Sequence, residues 1–225
     1  MGEFLNQQGY TCLGIRLAGH ATEPEDMIRS NWIDWTASVE DGYQLLREMT
    51  GDIFLVGLSM GGALSLLLST RFEVRGVVVM STPYKLPYDP RLRYIDWISR
   101  IVPYMPKSRE APGTGWFDQD SWKDHISYPQ NPLRSIGQLN QLLAAMRTAL
   151  PQVHVPVLLM HSMDDHYVLP ENMELLYADL QNASDKTKLY VTGSGHVLPR
   201  DAARQEVFGL ALEFVQRIES AAESI

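Results

Sequence analysis

Short aliphatic and β-branched runs alternate along this chain with longer stretches whose apolar residues fall at helical spacing. That alternation restricts the fold more than any other feature, because it calls for parallel strands joined by helices. The pattern predicts strands over Tyr10–Arg16, Asp52–Leu58, Val74–Ser81, Val155–His161 and Lys186–Val191. It predicts helices from about Asn31 to Met49, Gly61 to Arg71, Leu133 to Leu150, Glu171 to Leu180 and Asp201 to Ile218. In the first of these Trp32, Trp35, Val39, Tyr43 and Leu46 share one face. In the last, Val207, Leu210, Phe214 and Ile218 form a single apolar stripe. The expected fold class is α/β, a mostly parallel sheet flanked by helices.

The stretch from about Pro83 to Tyr128 breaks this rhythm. It is rich in proline, tyrosine and tryptophan and shows no strand pattern. Inserted between two strands of one sheet, it reads most simply as a cap over the strand ends. The expected organisation is therefore one α/β domain over residues 1–225 with a cap insertion at about 83–128.

Composition excludes several classes of function. The apolar fraction of 45% and charged fraction of 20% are those of an ordinary globular protein. A net charge of −8 disfavours nucleic acid and anionic membrane surfaces, both of which want a basic face. No apolar run reaches membrane-spanning length, so stable membrane insertion is not expected. The first twenty residues lack a basic start followed by an apolar block, which makes a cytoplasmic protein the expectation. The single cysteine, Cys12, sits in an apolar run and reads as a small core residue.

The chemistry centres on Gly57-Leu58-Ser59-Met60-Gly61. A bare G-x-S-x-G is weak evidence, but here it follows a buried strand and opens a helix, where a nucleophile elbow belongs. The turn is tight enough to strain the serine's backbone, and Gly57 and Gly61 are expected to flank it because larger neighbours would clash. A phosphate-gripping loop is the competing reading, but no lysine or arginine follows before Arg71.

A serine hydroxyl needs a base to take its proton, usually a histidine held by a carboxylate. In this arrangement the chain order is serine, acid, histidine, with the last two in loops after later strands. Asp164 and Asp165 follow one predicted strand, and His196 follows the next within Gly193-Ser194-Gly195-His196. His20, His125, His154, His161 and His166 are worse placed and read as structural or exposed. Between Asp164 and Asp165 the residues alone leave the choice open. No H-E-x-x-H or comparable spacing suggests a metal, and no cofactor is expected.

The sequence resembles the bacterial carboxylesterase and monoacylglycerol lipase-like branch of the α/β-hydrolase superfamily. Arg16-Leu-Ala-Gly-His20, Gly57-Leu-Ser-Met-Gly-Gly62, Asp165-His-Tyr-Val-Leu-Pro170 and Ser194-Gly-His196 carry the resemblance in order over nearly the whole chain. It implies hydrolysis of short- to medium-chain acyl esters or monoacylglycerols through a triad of Ser59, Asp165 and His196. It places the acid just before the His-x-Val segment, which selects Asp165. The Met60 N–H is the expected oxyanion donor. Against the family pattern, the N-terminal strands and the His-Gly-aromatic oxyanion loop are missing. A second donor would come from another segment or from a second subunit of a homodimer. Tyr84, Trp97, Trp116 and Phe117, all in the proposed cap, are candidates for the acyl pocket. Thioesterase, amidase or acyltransferase chemistry would use the same triad, and an inactive remnant or binding module is the reading outside catalysis.

Overall fold

The computed structural model describes residues 1–106 and 115–223. Among them six strands form: β1 (Phe54–Leu58), β2 (Gly76–Met80), β3 (Tyr104–Pro106), β4 (Gln130–Pro132), β5 (Val157–Ser162) and β6 (Lys186–Val191). The helices are α1 (Gly2–Gln7), α2 (Pro24–Arg29), α3 (Trp32–Arg47), α4 (Met60–Leu68), α5 (Ile95–Ile101), α6 (Gln119–Lys123), α7 (Leu133–Ala149), α8 (Glu171–Asp179) and α9 (Arg204–Glu223).

Four strands make an all-parallel sheet in the order β1-β2-β5-β6. Parallel strands need helical crossovers, and these cover both faces, which is why β2 and β5 are apolar at nearly every position. Alternate residues of those strands feed different cores. Val77, Val79, Val157 and Leu159 pack with Trp35 and Tyr43 of α3, Leu64 and Leu67 of α4, Leu142 and Met146 of α7, and Met173 of α8. Val78, Met80, Leu158 and Met160 pack on the other side with Val207, Ala211, Phe214 and Val215 of α9. The result is three layers with the sheet in the middle.

Local signals explain where the elements begin. Asn31 and Asp34 form a reciprocal capping box at the start of α3. Trp35, one turn later, is 1% exposed, and its indole N–H donates to Ser30 Oγ at 3.1 Å.

Two expectations are corrected. Residues 10–16 do not form a strand: among the described residues no backbone hydrogen bond joins the stretch from Thr11 to Arg16 to a neighbouring chain segment. Leu13 in this stretch is 42% exposed, and Cys12 is exposed too, not a core residue. A run with strand composition becomes a strand only where another strand pairs with it. Here a cavity of about 260 Å³ separates Leu13–Ile15 and Leu17 from β1, and α3 and α4 contribute to its walls. Among the described residues β1 is consequently an edge, paired with β2 alone.

The segment between β2 and α7 also holds a strand pair that its sequence does not advertise. β3 and β4 are antiparallel, with Tyr104 opposite Pro132 and Pro106 opposite Gln130. Three-residue strands that each end in proline carry no period-two pattern to read. α5 seats closely against α7, where an added Cβ at Gly137 would meet Ile95 Cγ2 at 2.8 Å.

Candidate active site

The carboxyl ends of the parallel strands gather the polar residues of the site. β1 ends at Leu58, and Ser59 follows with φ 53° and ψ −118°, a conformation that costs a non-glycine residue of order 1–3 kcal/mol. The surroundings hold it there: Ser59 N–H donates to Met80 O of β2 at 2.8 Å, and Ser59 O accepts from Gly62 N–H and Ala63 N–H of α4. The turn lets α4 fold straight back over β1. Its steric requirement differs from the expectation. A Cβ on Gly57 would lie 2.3 Å from Gly61 O and 2.5 Å from Gly62 N, whereas a Cβ on Gly61 would meet nothing within 4 Å. Gly57 is the position the close approach demands, and Gly61 is not.

Asp165 lies in the loop after β5 and is 1% exposed. Its Oδ1 accepts the N–H groups of Tyr167 at 2.8 Å and Val168 at 3.0 Å, which winds the loop around the carboxylate. Its Oδ2 meets His196 Nδ1 at 2.8 Å. Asp164 does other work: its Oδ2 accepts Gly193 N–H at 2.8 Å and so ties the β5 loop to the loop that follows β6.

Oδ2 of Asp165 has a second neighbour. His161, at the end of β5 and 1% exposed, places Nε2 3.4 Å from it and 2.7 Å from Val168 O. A carbonyl oxygen only accepts, so His161 Nε2 carries a proton. Burial pushes the Asp165 carboxyl up, but the hydrogen bonds from His161 and His196, the His196 charge and the Val168 N–H outweigh it. They hold the group at about 2. An anionic Asp165 in turn fixes the His196 tautomer with the proton on Nδ1, which leaves Nε2 free to accept one.

His196 is half-buried, with Tyr167 beside its ring at 5.8 Å between centroids. Among the described residues Ser59 Oγ has no hydrogen-bond partner, and the Met60 N–H in the first turn of α4 has no acceptor. Both residues are partly buried. No group of histidine, cysteine, aspartate and glutamate suited to a metal occurs among the described residues.

The aromatic candidates are scattered. Tyr84 is tied into the body of the protein, its hydroxyl donating to Asp179 at 2.6 Å and its ring facing Arg147. Trp116 is buried against His125, and Trp97 and Phe117 are exposed. His20 is also built into the structure, with Nδ1 3.1 Å from Ala18 O and its ring edge-on to Trp35.

A three-layer parallel sheet that ends in a strained serine turn, with an Asp–His pair on later loops, defines an α/β hydrolase. The model of the family described as serine aminopeptidase, S33, matches residues 1–203, and the chain belongs to that family. It is 30% identical to the thermostable monoacylglycerol lipase of Bacillus sp. (strain H-257), over 95% of this chain and 82% of that protein. It is 26% identical to a carboxylesterase of Bacillus subtilis (strain 168), over 97% of this chain and 86% of that one. Among solved structures, one described with LipS and LipT, two metagenome-derived lipolytic enzymes, aligns with a TM-score of 0.84 and 28% identity. That match covers 96% of this chain and 86% of the other. Like these relatives, the chain is a lipase-like serine hydrolase.

Proposed function

We propose that this chain hydrolyses carboxylic esters of short- to medium-chain acyl groups, monoacylglycerols among them, through an acyl-enzyme at Ser59. The observation that carries the reading is the 2.8 Å contact between His196 Nδ1 and Asp165 Oδ2, on the same strand-end face as the strained Ser59 turn. His196 Nε2 takes the Ser59 proton as Oγ attacks the ester carbonyl, and the Met60 N–H supports the developing oxyanion. His196 then protonates the leaving alcohol, and in the second step it activates the water that releases the acid. Asp165 holds the imidazole in its working tautomer and stabilises its cationic form. The cap insertion is assigned to about residues 83–128, of which 107–114 lie outside the described residues, and Trp97, Trp116 and Phe117 are its candidates for contact with the acyl chain.

The test is hydrolysis of p-nitrophenyl butyrate by this chain and by Ser59→Ala under identical conditions. Turnover should disappear in the variant. Folded wild-type protein with no turnover, or a variant that retains it, would refute the assignment. The family's description as an aminopeptidase makes an amide substrate the second reading. A p-nitroanilide run in parallel separates the two, since ester turnover should dominate.

A further inference from the structure

Asp201 is 0% exposed, yet among the described residues no cationic side chain lies within ion-pair distance of its carboxylate. A buried carboxylate without such a partner is costly unless hydrogen bonds replace its water. Four backbone N–H groups do so. Oδ1 accepts from Phe117 at 2.9 Å, Asp118 at 2.7 Å and Ala202 at 2.8 Å. Oδ2 accepts from Gly195 at 2.6 Å, and Phe117 N–H lies 3.2 Å from it as well.

Apart from the adjacent Ala202, these donors come from two places far apart in the chain. Phe117 and Asp118 belong to the proposed cap, and Gly195 immediately precedes His196. The two segments also touch directly, since a Cβ on Gly195 would sit 1.7 Å from Gly115 O. Arg204 adds an outer tie by donating to both Asp118 Oδ2 and Asp201 O.

We infer that Asp201 is a positioning residue for the proposed base: one buried carboxylate fastens the cap's 115–118 stretch to the loop carrying His196, so cap seating and imidazole placement are set together. The inference rests on the reading of Ser59, Asp165 and His196 given above. Only an acceptor at both oxygens suits the site. An asparagine would present an N–H₂ group to backbone N–H donors on one side or the other. Gly195 is bonded to His196, so a shift there moves the imidazole relative to Ser59, and a misplacement of about 1 Å can cost about 10²-fold in rate.

The experiment compares wild type with Asp201→Asn, using p-nitrophenyl butyrate and decanoate. Active sites are titrated with a fluorophosphonate so that kcat refers only to competent molecules. Asp201→Asn should lower kcat per titrated site by about 10–10²-fold and change the butyrate-to-decanoate ratio of kcat/KM by about threefold or more. A purely structural role would reduce the titratable fraction or the thermal midpoint and leave kcat per site and the ratio near wild type. That result overturns the inference. If Asp201→Asn does not fold, Arg204→Ala loosens Asp118 from outside. It should change the butyrate-to-decanoate ratio measurably, and an unchanged ratio and kcat would overturn the inference equally. Activity that survives Ser59→Ala refutes the triad itself, whereas normal Asp201→Asn beside an inactive Ser59→Ala refutes only the role of Asp201.

Discussion

Two glycines in one motif should respond in opposite ways to the same small change. In Gly57→Ala the new methyl group falls 2.3 Å from Gly61 O, 2.4 Å from Gly61 C and 2.5 Å from Gly62 N. Carbon contacts settle at about 3.5–4.0 Å, so the first turn of α4 must retreat by roughly 1 Å or more. All three obstructing atoms are backbone, and no rotamer change relieves them. Overpacking of this kind costs about 1–3 kcal/mol. For a chain of this length that lowers the thermal midpoint by about 2–12 °C. The displaced turn carries Ser59, so kcat should fall further than stability, by about 10²-fold. In Gly61→Ala the methyl group meets nothing within 4 Å. It sits in the first turn of α4, where alanine restricts the unfolded chain more than glycine does and stability should rise by up to about 1 kcal/mol. Thermal unfolding and ester hydrolysis by titrated enzyme measure both effects. Equal damage from the two substitutions, or a harmless Gly57→Ala, would show that the close approach does not set this turn.

Two further outcomes follow from the buried groups. The Asp165 carboxyl titrates at about 2 in the folded chain against 3.8 when unperturbed, so the stability it contributes is present above about pH 4. That contribution, about 2–3 kcal/mol, is lost as pH falls from 4 towards 2. Urea unfolding across this range should therefore weaken more steeply in wild type than in Asp165→Asn, and parallel curves would contradict the assignment. The same variant should lose about 10²–10⁴-fold in kcat, measured on butyrate ester, because the wrong tautomer of His196 is then favoured. Trp35→Ala removes a side chain that is 1% exposed and takes away the indole N–H that bonds Ser30 Oγ. It should cost about 3–5 kcal/mol in chemical denaturation, and a loss below about 1 kcal/mol would mean the site collapses around the gap.

Much of this architecture was legible in the residue pattern because burial on both faces leaves continuous apolar runs. β2 and β5 are of that kind, and the predicted Lys186–Val191 coincides with β6. The run from Tyr10 to Arg16 also suggests a strand, and yet among the described residues it joins no sheet, since pairing depends on a neighbour that composition does not reveal. The order of serine, acid and histidine is proposed from loops after predicted strands, and only the resemblance, not the residues by themselves, favours Asp165 over Asp164. Both are loop aspartates, and in the structure Asp165 meets His196 while Asp164 holds Gly193. His161 looks like a strand-end histidine in sequence, and its approach to Asp165 depends on how the 163–168 loop closes. Asp201 was hidden in another way. The pattern places it as the first residue of a helix, but α9 begins at Arg204 and the carboxylate turns inward.

The one-sided pairing of β1 leaves its two backbone flanks in different environments. Ser59 N–H reaches Met80 O, and alternation along a strand then aims the N–H groups of Gly57 and Leu55 at β2 and those of Val56 and Leu58 at the cavity. Amide exchange at Val56 and Leu58 is therefore governed by solvent entry, while Gly57 and Ser59 exchange only when β1 parts from β2. Among the described residues the serine turn has a single mechanical anchor within the sheet, and any fluctuation that separates those two strands carries the Ser59 hydroxyl with it.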